Sequence, residues 1–327
     1  MLFCLLLVKN MKKILFLLAF LNSNIANSHN LSLKDRALIS HDHKVVSVKS
    51  VTANDSLEIW TNLQKTEYDK NIKSDYKIEI KYLEKKSDVK IIIYKPKKNI
   101  PKNAIIDLHG CNGVMGRQTQ WARKFISWGY MFVVVDSLRS RGVDNVCKDY
   151  YRVPTFQRAI DAHTVKTYIQ KNFKNIDKKS ISIFGFSHGA TSVLDSLYDS
   201  MGNNENPFKY AIAFSPWCSG LYTKINTKYT KLMIIVGESD TWTPPDRCKK
   251  MLTTNPDNYT LHILKGAYHS FDGMMDVQSY QGHTIGHNQK ATNESYVHME
   301  KFLSINKNAV KIKENNSLYR NLDIPIN

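Results

Sequence analysis

Ile181-Ser182-Ile183-Phe184-Gly185-Phe186-Ser187-His188-Gly189 decides how the rest of the chain is read. A short apolar run, Ile181 to Phe184, passes into Gly-x-Ser-x-Gly, and a helix-like stretch, His188 to Ser200, begins at once. A strand that becomes a helix within one residue forces that residue into a strained backbone. Small neighbours must accommodate the turn, hence Gly185 and Gly189. The turn also lifts the Ser187 hydroxyl to the helix N-terminus, where unpaired N–H groups favour developing negative charge. Gly-x-Ser-x-Gly alone is a weak signal. Set between a strand and a helix, it marks Ser187 as a candidate nucleophile.

The same alternation extends outward. Ala104 to Leu108, Met131 to Val135, Tyr210 to Phe214, Lys231 to Val236 and Tyr259 to Leu264 are strand-like runs ending in turn signals, with two earlier ones at Tyr76 to Leu83 and Val89 to Tyr94. Helix-like stretches lie at Thr119 to Trp128, Thr155 to Lys171, Pro244 to Leu252 and Glu294 to Leu303. Strands alternating with helices predict an α/β fold: a mostly parallel central sheet with helices on both faces and right-handed crossovers.

Two partners for Ser187 stand after later strands. Gly237-Glu238-Ser239-Asp240 follows one and Gly266-Ala267-Tyr268-His269 the next, so Asp240 and His269 occupy the order nucleophile, acid, histidine. His269 is the expected general base, with Asp240 fixing its tautomer; Glu238 is the other acid, but it sits closer to the strand. His109-Gly110-Cys111-Asn112-Gly113 follows an earlier strand. A loop there supplies one N–H to an oxyanion, and His188 supplies the other; Cys111 is the first choice and Asn112 the second. His109, Asn112, Arg141 and Trp242 are the expected substrate contacts, Arg141 (with Arg139) because a guanidinium forks a carboxylate. Arg158 and Asp161 read as a scaffold pair at i and i+3. His283 and His287 are four residues apart, but Gly282 and Gly286 point to a loop and not to a zinc-binding helix. Trp121, Trp128 and Tyr130 read as packing.

The chain ends and the charge place the protein. Lys12-Lys13, the apolar run Ile14 to Leu21, and Asn22 to Ser28 follow the order of a secretory signal peptide, expected to end near Ala26, with translation starting at Met1 or Met11. Each apolar piece is far short of the roughly 20 residues a bilayer needs, so no transmembrane anchor is expected. Residues 27–75 read as a polar, Lys-rich extension, 76–305 as the folded domain and 306–327 as a tail. With 46 Lys and Arg against 29 Asp and Glu, the formal charge is +17. The basic residues are spread along the chain without a nucleic-acid module, which argues against specific nucleic-acid binding and makes an anionic envelope surface the electrostatic partner to test. Cys4 falls in the leader. Cys111, Cys147, Cys218 and Cys248 remain, an even number without Cys-x-x-Cys spacing, which favours disulfides over a metal site and leaves three connectivities.

Over residues 76–305 the chain resembles the dienelactone hydrolase family of α/β-hydrolases, especially its exported members. The likeness rests on His109-Gly110-Cys111, Asp136-Ser137 with Arg141-Gly142, Arg158-Ala159-Ile160-Asp161-Ala162 and the Ser187 turn. It also rests on Gly237-Glu238-Ser239-Asp240 with Trp242-Thr243-Pro244, and on Gly266-Ala267-Tyr268-His269-Ser270-Phe271-Asp272. The resemblance implies a secreted or periplasmic hydrolase of small carboxylic esters that works through an acyl-enzyme, with no metal and no organic cofactor. The family's namesakes carry Cys as nucleophile; Ser187 here points instead to a serine esterase. The rival expectations are a serine peptidase or amidase on the same fold, and a non-catalytic protein holding an anionic envelope polymer. The family's strand order further implies the pairings Cys111–Cys147 and Cys218–Cys248.

Overall fold

The computed structural model describes residues 42–49, 88–96, 100–218, 225–254 and 259–305. The leader, the strand expected at Tyr76 to Leu83 and the tail lie outside the described residues.

The central sheet contains β1 (Asp42–Lys49), β2 (Asp88–Lys95), β3 (Asn103–Leu108), β4 (Tyr130–Asp136), β5 (Ile181–Phe186), β6 (Tyr210–Phe214), β7 (Lys231–Gly237) and β8 (Tyr259–Leu264). Their spatial order is β1-β2-β4-β3-β5-β6-β7-β8. The β1–β2 and β2–β4 pairs are antiparallel and every pair from β4 to β8 is parallel. Parallel strands covered on both faces need apolar residues at every position, so β4 is buried throughout. On one face Ile106, Val133, Ile183, Ala213 and Ile234 pack against three helices: α2 (Thr155–Asn172), α3 (His188–Asp195) and α4 (Pro245–Thr254). On the other, Trp121 of α1 (Gly116–Ser127) lies 4.8 Å from Phe184, 5.3 Å from Phe214 and 5.4 Å from Tyr296 of α5 (Gln289–Phe302). Losing an aromatic ring so enclosed costs about 3–5 kcal/mol.

The structure shifts four sequence expectations. Residues 42–49, assigned to the polar extension, form the outer strand of the sheet; the short run Val45-Val46-Ser47-Val48 is set in a long polar stretch and gives too brief an apolar signal to stand out. α3 stops at Asp195 rather than Ser200 because Ser192 and Ser196 bond back to the carbonyls of His188 and Val193. α5 begins five residues before Glu294, since Asn288 caps it by accepting from the Ala291 N–H at 3.0 Å. Finally, the segment around His283 is a hairpin, β9 (Gln278–Tyr280) with β10 (His283–Ile285). Its two-residue turn sets Gln281 at φ 52° and Gly282 at φ 81°, the left-handed pair such hairpins require.

Parallel pairing brings the carboxyl ends of β3, β5, β7 and β8 to one rim: Leu108 lies beside Gly185, Phe186 beside Phe214, and Gly237 beside Leu264. Disulfides join Cys111 to Cys147 and Cys218 to Cys248, with Cα atoms 4.9 and 5.0 Å apart. The first ties the loop after β3 to the loop after β4. The second ties the segment after β6 to α4.

Candidate active site

Ser187 stands between β5 and α3 with φ 52° and ψ −118°, a backbone that a residue with a side chain adopts only under constraint. The constraint comes from its neighbours. A Cβ on Gly185 would fall 2.5 Å from the Gly189 carbonyl oxygen, and one on Gly189 would fall 1.9 Å from that of Leu108. The helix therefore sits directly on the backbone of β5 and β3. Ser187 N–H donates to Phe214 O at 2.8 Å and Ser187 O accepts from Thr191 N–H at 2.9 Å, which fixes the turn from both sides.

The loops after β7 and β8 bring Asp240 and His269 to this turn. His269 Nε2 lies 3.0 Å from Ser187 Oγ, and His269 Nδ1 lies 2.8 Å from Asp240 Oδ2. All three residues are buried. Asp240 Oδ1 accepts from the backbone N–H groups of Trp242 at 3.0 Å and Thr243 at 2.8 Å, while Thr243 Oγ1 donates to Oδ2 at 2.8 Å. Burial on its own raises the Asp240 pKa. The His269 charge and the hydrogen bonds from His269 and Thr243 outweigh it and hold the carboxyl below the usual carboxylate range. With Asp240 an acceptor, His269 Nδ1 carries its proton toward Asp240 and Nε2 is free to accept from Ser187 Oγ. Glu238 is elsewhere: it is exposed and accepts from Gly266 N–H at 3.0 Å, capping the loop before His269.

The His269 loop is braced on both flanks. Its carbonyl accepts from Gly286 N–H at 3.0 Å, just after the β9–β10 hairpin. Three residues on, Asp272 accepts from Trp121 Nε1 at 2.8 Å and pairs with Arg117 at 3.0 Å. The Arg117 guanidinium lies 3.4 Å from the centre of the Phe186 ring, which in turn lies 5.0 Å from the His269 ring.

The remaining expected residues divide. His188 opens α3 beside Ser187, with the N–H of a first helical turn. Cys111 stands in the loop after β3, its carbonyl bonded by Val146 N–H at 2.9 Å. Asn112 Oδ1 accepts from Asn145 Nδ2, and from the Tyr280 hydroxyl at 3.3 Å. Trp242 packs beside the triad: its ring is 5.1 Å from that of His269 and stacks on His283 at 5.0 Å, and its Nε1 donates to the Tyr150 hydroxyl at 3.2 Å. Two expectations are corrected. His109 is fully buried, donates from Nδ1 to Gly110 O at 2.7 Å, and is kept neutral by burial and by the Arg158 charge, so it faces the interior and not a substrate. Arg141 does not greet a ligand; it forks Asp161 at 2.9 and 2.8 Å and donates to Ser137 O at 2.8 Å. Asp161 is thereby paired across twenty residues rather than with Arg158. His287, the other histidine after β9, contacts Phe271 O at 3.1 Å.

Tyr150, Thr243, Tyr280 and Arg158 were not singled out as site residues in the sequence. Thr243 had a signal, since Asp-x-x-Thr forms a turn in which the carboxylate takes the following N–H groups. The other three reach the site only through the fold. A shallow cleft of about 350 Å³ is lined by Asn145, Lys148, Arg152 and Tyr280, with Asp149 and Gln281.

Comparison with known proteins agrees with this architecture. The model of the dienelactone hydrolase family matches residues 89–306. No curated protein is similar in sequence. A Klebsiella pneumoniae protein assigned to the dienelactone hydrolases superposes with a TM-score of 0.53 at 13% identity, covering 80% of this chain and 99% of the other. The metagenomic dienelactone hydrolase-like promiscuous phosphotriesterase P91 gives 0.53 at 13%, over 80% and 98%. Thermogutta terrifontis esterase 2, solved phosphoramylated by tabun, gives 0.51 at 16%, over 69% and 93%. At these identities the superpositions speak for the α/β-hydrolase fold.

Proposed function

The chain belongs to the dienelactone hydrolase family and is a carboxylic ester hydrolase, and from that premise we propose that Ser187, His269 and Asp240 are its catalytic triad. The observation that carries the reading is the unbroken series Ser187 Oγ, His269 Nε2 at 3.0 Å, His269 Nδ1 and Asp240 Oδ2 at 2.8 Å, mounted on a strained turn at a helix N-terminus.

Ser187 Oγ attacks the ester carbonyl while His269 Nε2 takes its proton. The resulting oxyanion accepts from the N–H groups of His188 and of the Cys111 loop, and collapse expels the alcohol, which receives the proton back from His269. Water then repeats the sequence on the acyl-enzyme and releases the acid. Asp240 stays ionised and stabilises the imidazolium in both halves. Aromatic rings beside the triad, Trp242 at 5.1 Å from His269 and Tyr280 at 5.8 Å from Trp242, suit a small organic ester.

Export is part of the proposal. The leader-like sequence and two disulfides support it.

A fluorophosphonate probe followed by peptide mapping tests the assignment. Label is expected on Ser187 alone, with turnover of p-nitrophenyl esters and far slower turnover of the matching anilides. A Ser187→Ala protein that still hydrolyses esters at the parent rate overturns it. Anilides turned over as fast as esters would move the protein to the amidases.

A further inference from the structure

Arg158 is fully buried on the first turn of α2 and belongs to no part of the triad. Its Nη2 donates to the His109 carbonyl at 2.5 Å and its Nη1 to His188 Nδ1 at 2.8 Å. These two acceptors have different origins. His109 is the first residue after β3, leading into the Gly110-Cys111 loop, and His188 is the residue after the candidate nucleophile, at the head of α3. One rigid, planar cation therefore joins the two segments that carry the oxyanion donors.

We propose that Arg158 is a positioning residue for the oxyanion hole, setting the separation of the His188 and Cys111 N–H groups and placing a positive charge behind the developing oxyanion. The proposal rests on the acyl-transfer reading of Ser187. Arginine offers its donors in a fixed planar fork; a lysine ammonium carries three donors on a flexible stem and imposes no planar geometry on the two acceptors. Because a guanidinium has no acceptor, His188 Nδ1 must be the acceptor, which keeps the imidazole neutral with its proton on Nε2.

The fork is itself held in register. One turn along α2, Asp161 is locked by Arg141 and receives Gln157 Nε2 at 3.2 Å. This fastens the helix to the turn after β4. On the other side, Gly113 N–H donates to Gly110 O at 3.2 Å and Cys111 is bridged to Cys147. Arg158 Nε has no hydrogen-bond partner among the described residues, and the charge is balanced at longer range by Asp161, Asp107 and Asp136. A cation held deep in the fold with one N–H unpaired is a poor device for stability alone, and its two acceptors belong to the segments that carry the proposed oxyanion donors.

Arg158→Lys and Arg158→Met test the idea with three readouts: kcat against KM for a p-nitrophenyl ester, inhibition by a trifluoromethyl ketone that mimics the oxyanion, and binding of the product carboxylic acid. The expected result is a kcat loss of about 10- to 100-fold with KM within about threefold, a fraction of the loss seen when an oxyanion donor is removed outright. Ketone affinity should fall in step with kcat/KM, and product affinity should hold. Unchanged kcat in a folded variant, or ketone affinity that does not follow kcat/KM, overturns it. If neither variant folds, His188→Leu removes one acceptor while leaving the backbone N–H and the His109 bond. It should lose about tenfold in kcat, and His188→Gln, which restores an acceptor, should recover most of that; equal rates in all three proteins refute the role. Failure of the parent enzyme to take the fluorophosphonate or turn over any ester would instead refute the underlying acyl-transfer reading.

Discussion

At Asp240 the two oxygens have separate duties. Oδ1 takes two backbone N–H groups, which hold the loop, and Oδ2 takes His269 Nδ1 and the Thr243 hydroxyl, which set the imidazole. Asp240→Asn keeps a carbonyl-sized group for the loop but offers an N–H where His269 needs an acceptor. A kcat loss of about 10⁴-fold with a nearly unchanged melting temperature is expected, as when the tautomer is reversed in other triads. Glu238→Gln, two residues away, should stay within about twofold, because Glu238 only caps Gly266. Steady-state kinetics on both proteins separates them; comparable losses would return the acid to dispute. Ser187, Asp240 and His269 were legible in the sequence because each stands in the turn or loop that follows a strand. Arg141 and Arg158 were not. An arginine past a strand end advertises a charge but not its partner, and both partners, Asp161 and His109, come from packing that no local spacing encodes.

Among the elements, α3 is the one with no room to move. Its Gly189 stands where a methyl group would overlap the Leu108 carbonyl, so Gly189→Ala must push the helix off β3 and carry Ser187 with it. A stability loss of about 3 kcal/mol or more is expected from such overpacking, with activity lost beyond what unfolding explains. Urea denaturation beside active-site titration measures the two, and a variant with parent-like values of both would contradict the close approach. The bridges offer a matched comparison. Their sequence separations, 36 and 30 residues, imply similar chain-entropy contributions of about 3–4 kcal/mol each. Of the two, Cys111–Cys147 reaches the loop proposed to carry an oxyanion donor. Cys111→Ser with Cys147→Ser should therefore lower kcat at least tenfold more than Cys218→Ser with Cys248→Ser at similar cost in denaturant midpoint; equal kinetic losses would count against a local role. The parallel elements were readable from their apolar runs, whereas β1 and the β9–β10 hairpin were not. The apolar run of β1, Val45-Val46-Ser47-Val48, is short and set in a polar stretch, and Gln281-Gly282 lacks the Asn-Gly or Asp-Gly that announces such a turn.

For the whole molecule, acid should be the weak side. His163 packs on Phe208 and donates from Nε2 to Ser196 O at 2.9 Å; burial pulls its pKa from 6.5 to about 4, with the Ser196 bond opposing and the Lys166 charge adding. Burial and the Arg158 charge lower His109 and His188 in the same sense. Between pH of about 6.5 and about 4, the unfolded chain binds protons that the fold refuses, so stability falls as pH falls. Asp107 works the other way, its carboxyl raised to about 7 by burial, and offsets part of the loss. His163→Gln keeps a donor for Ser196 and cannot titrate. Its unfolding free energy should drop by on the order of 1 kcal/mol less than the parent's between pH 7.5 and pH 5. Denaturant midpoints across that range decide it, and parallel curves would remove His163 from the account. The Cys111–Cys147 bridge has a further meaning in time and place. On the export proposed above, a chain just made in a reducing cytosol would own every proposed catalytic side chain and still lack the staple beside its proposed oxyanion donor. Oxidation after translocation would then serve as the maturation step, as removal of a pro-segment does for other hydrolases, and would leave the esters of the producing cell untouched.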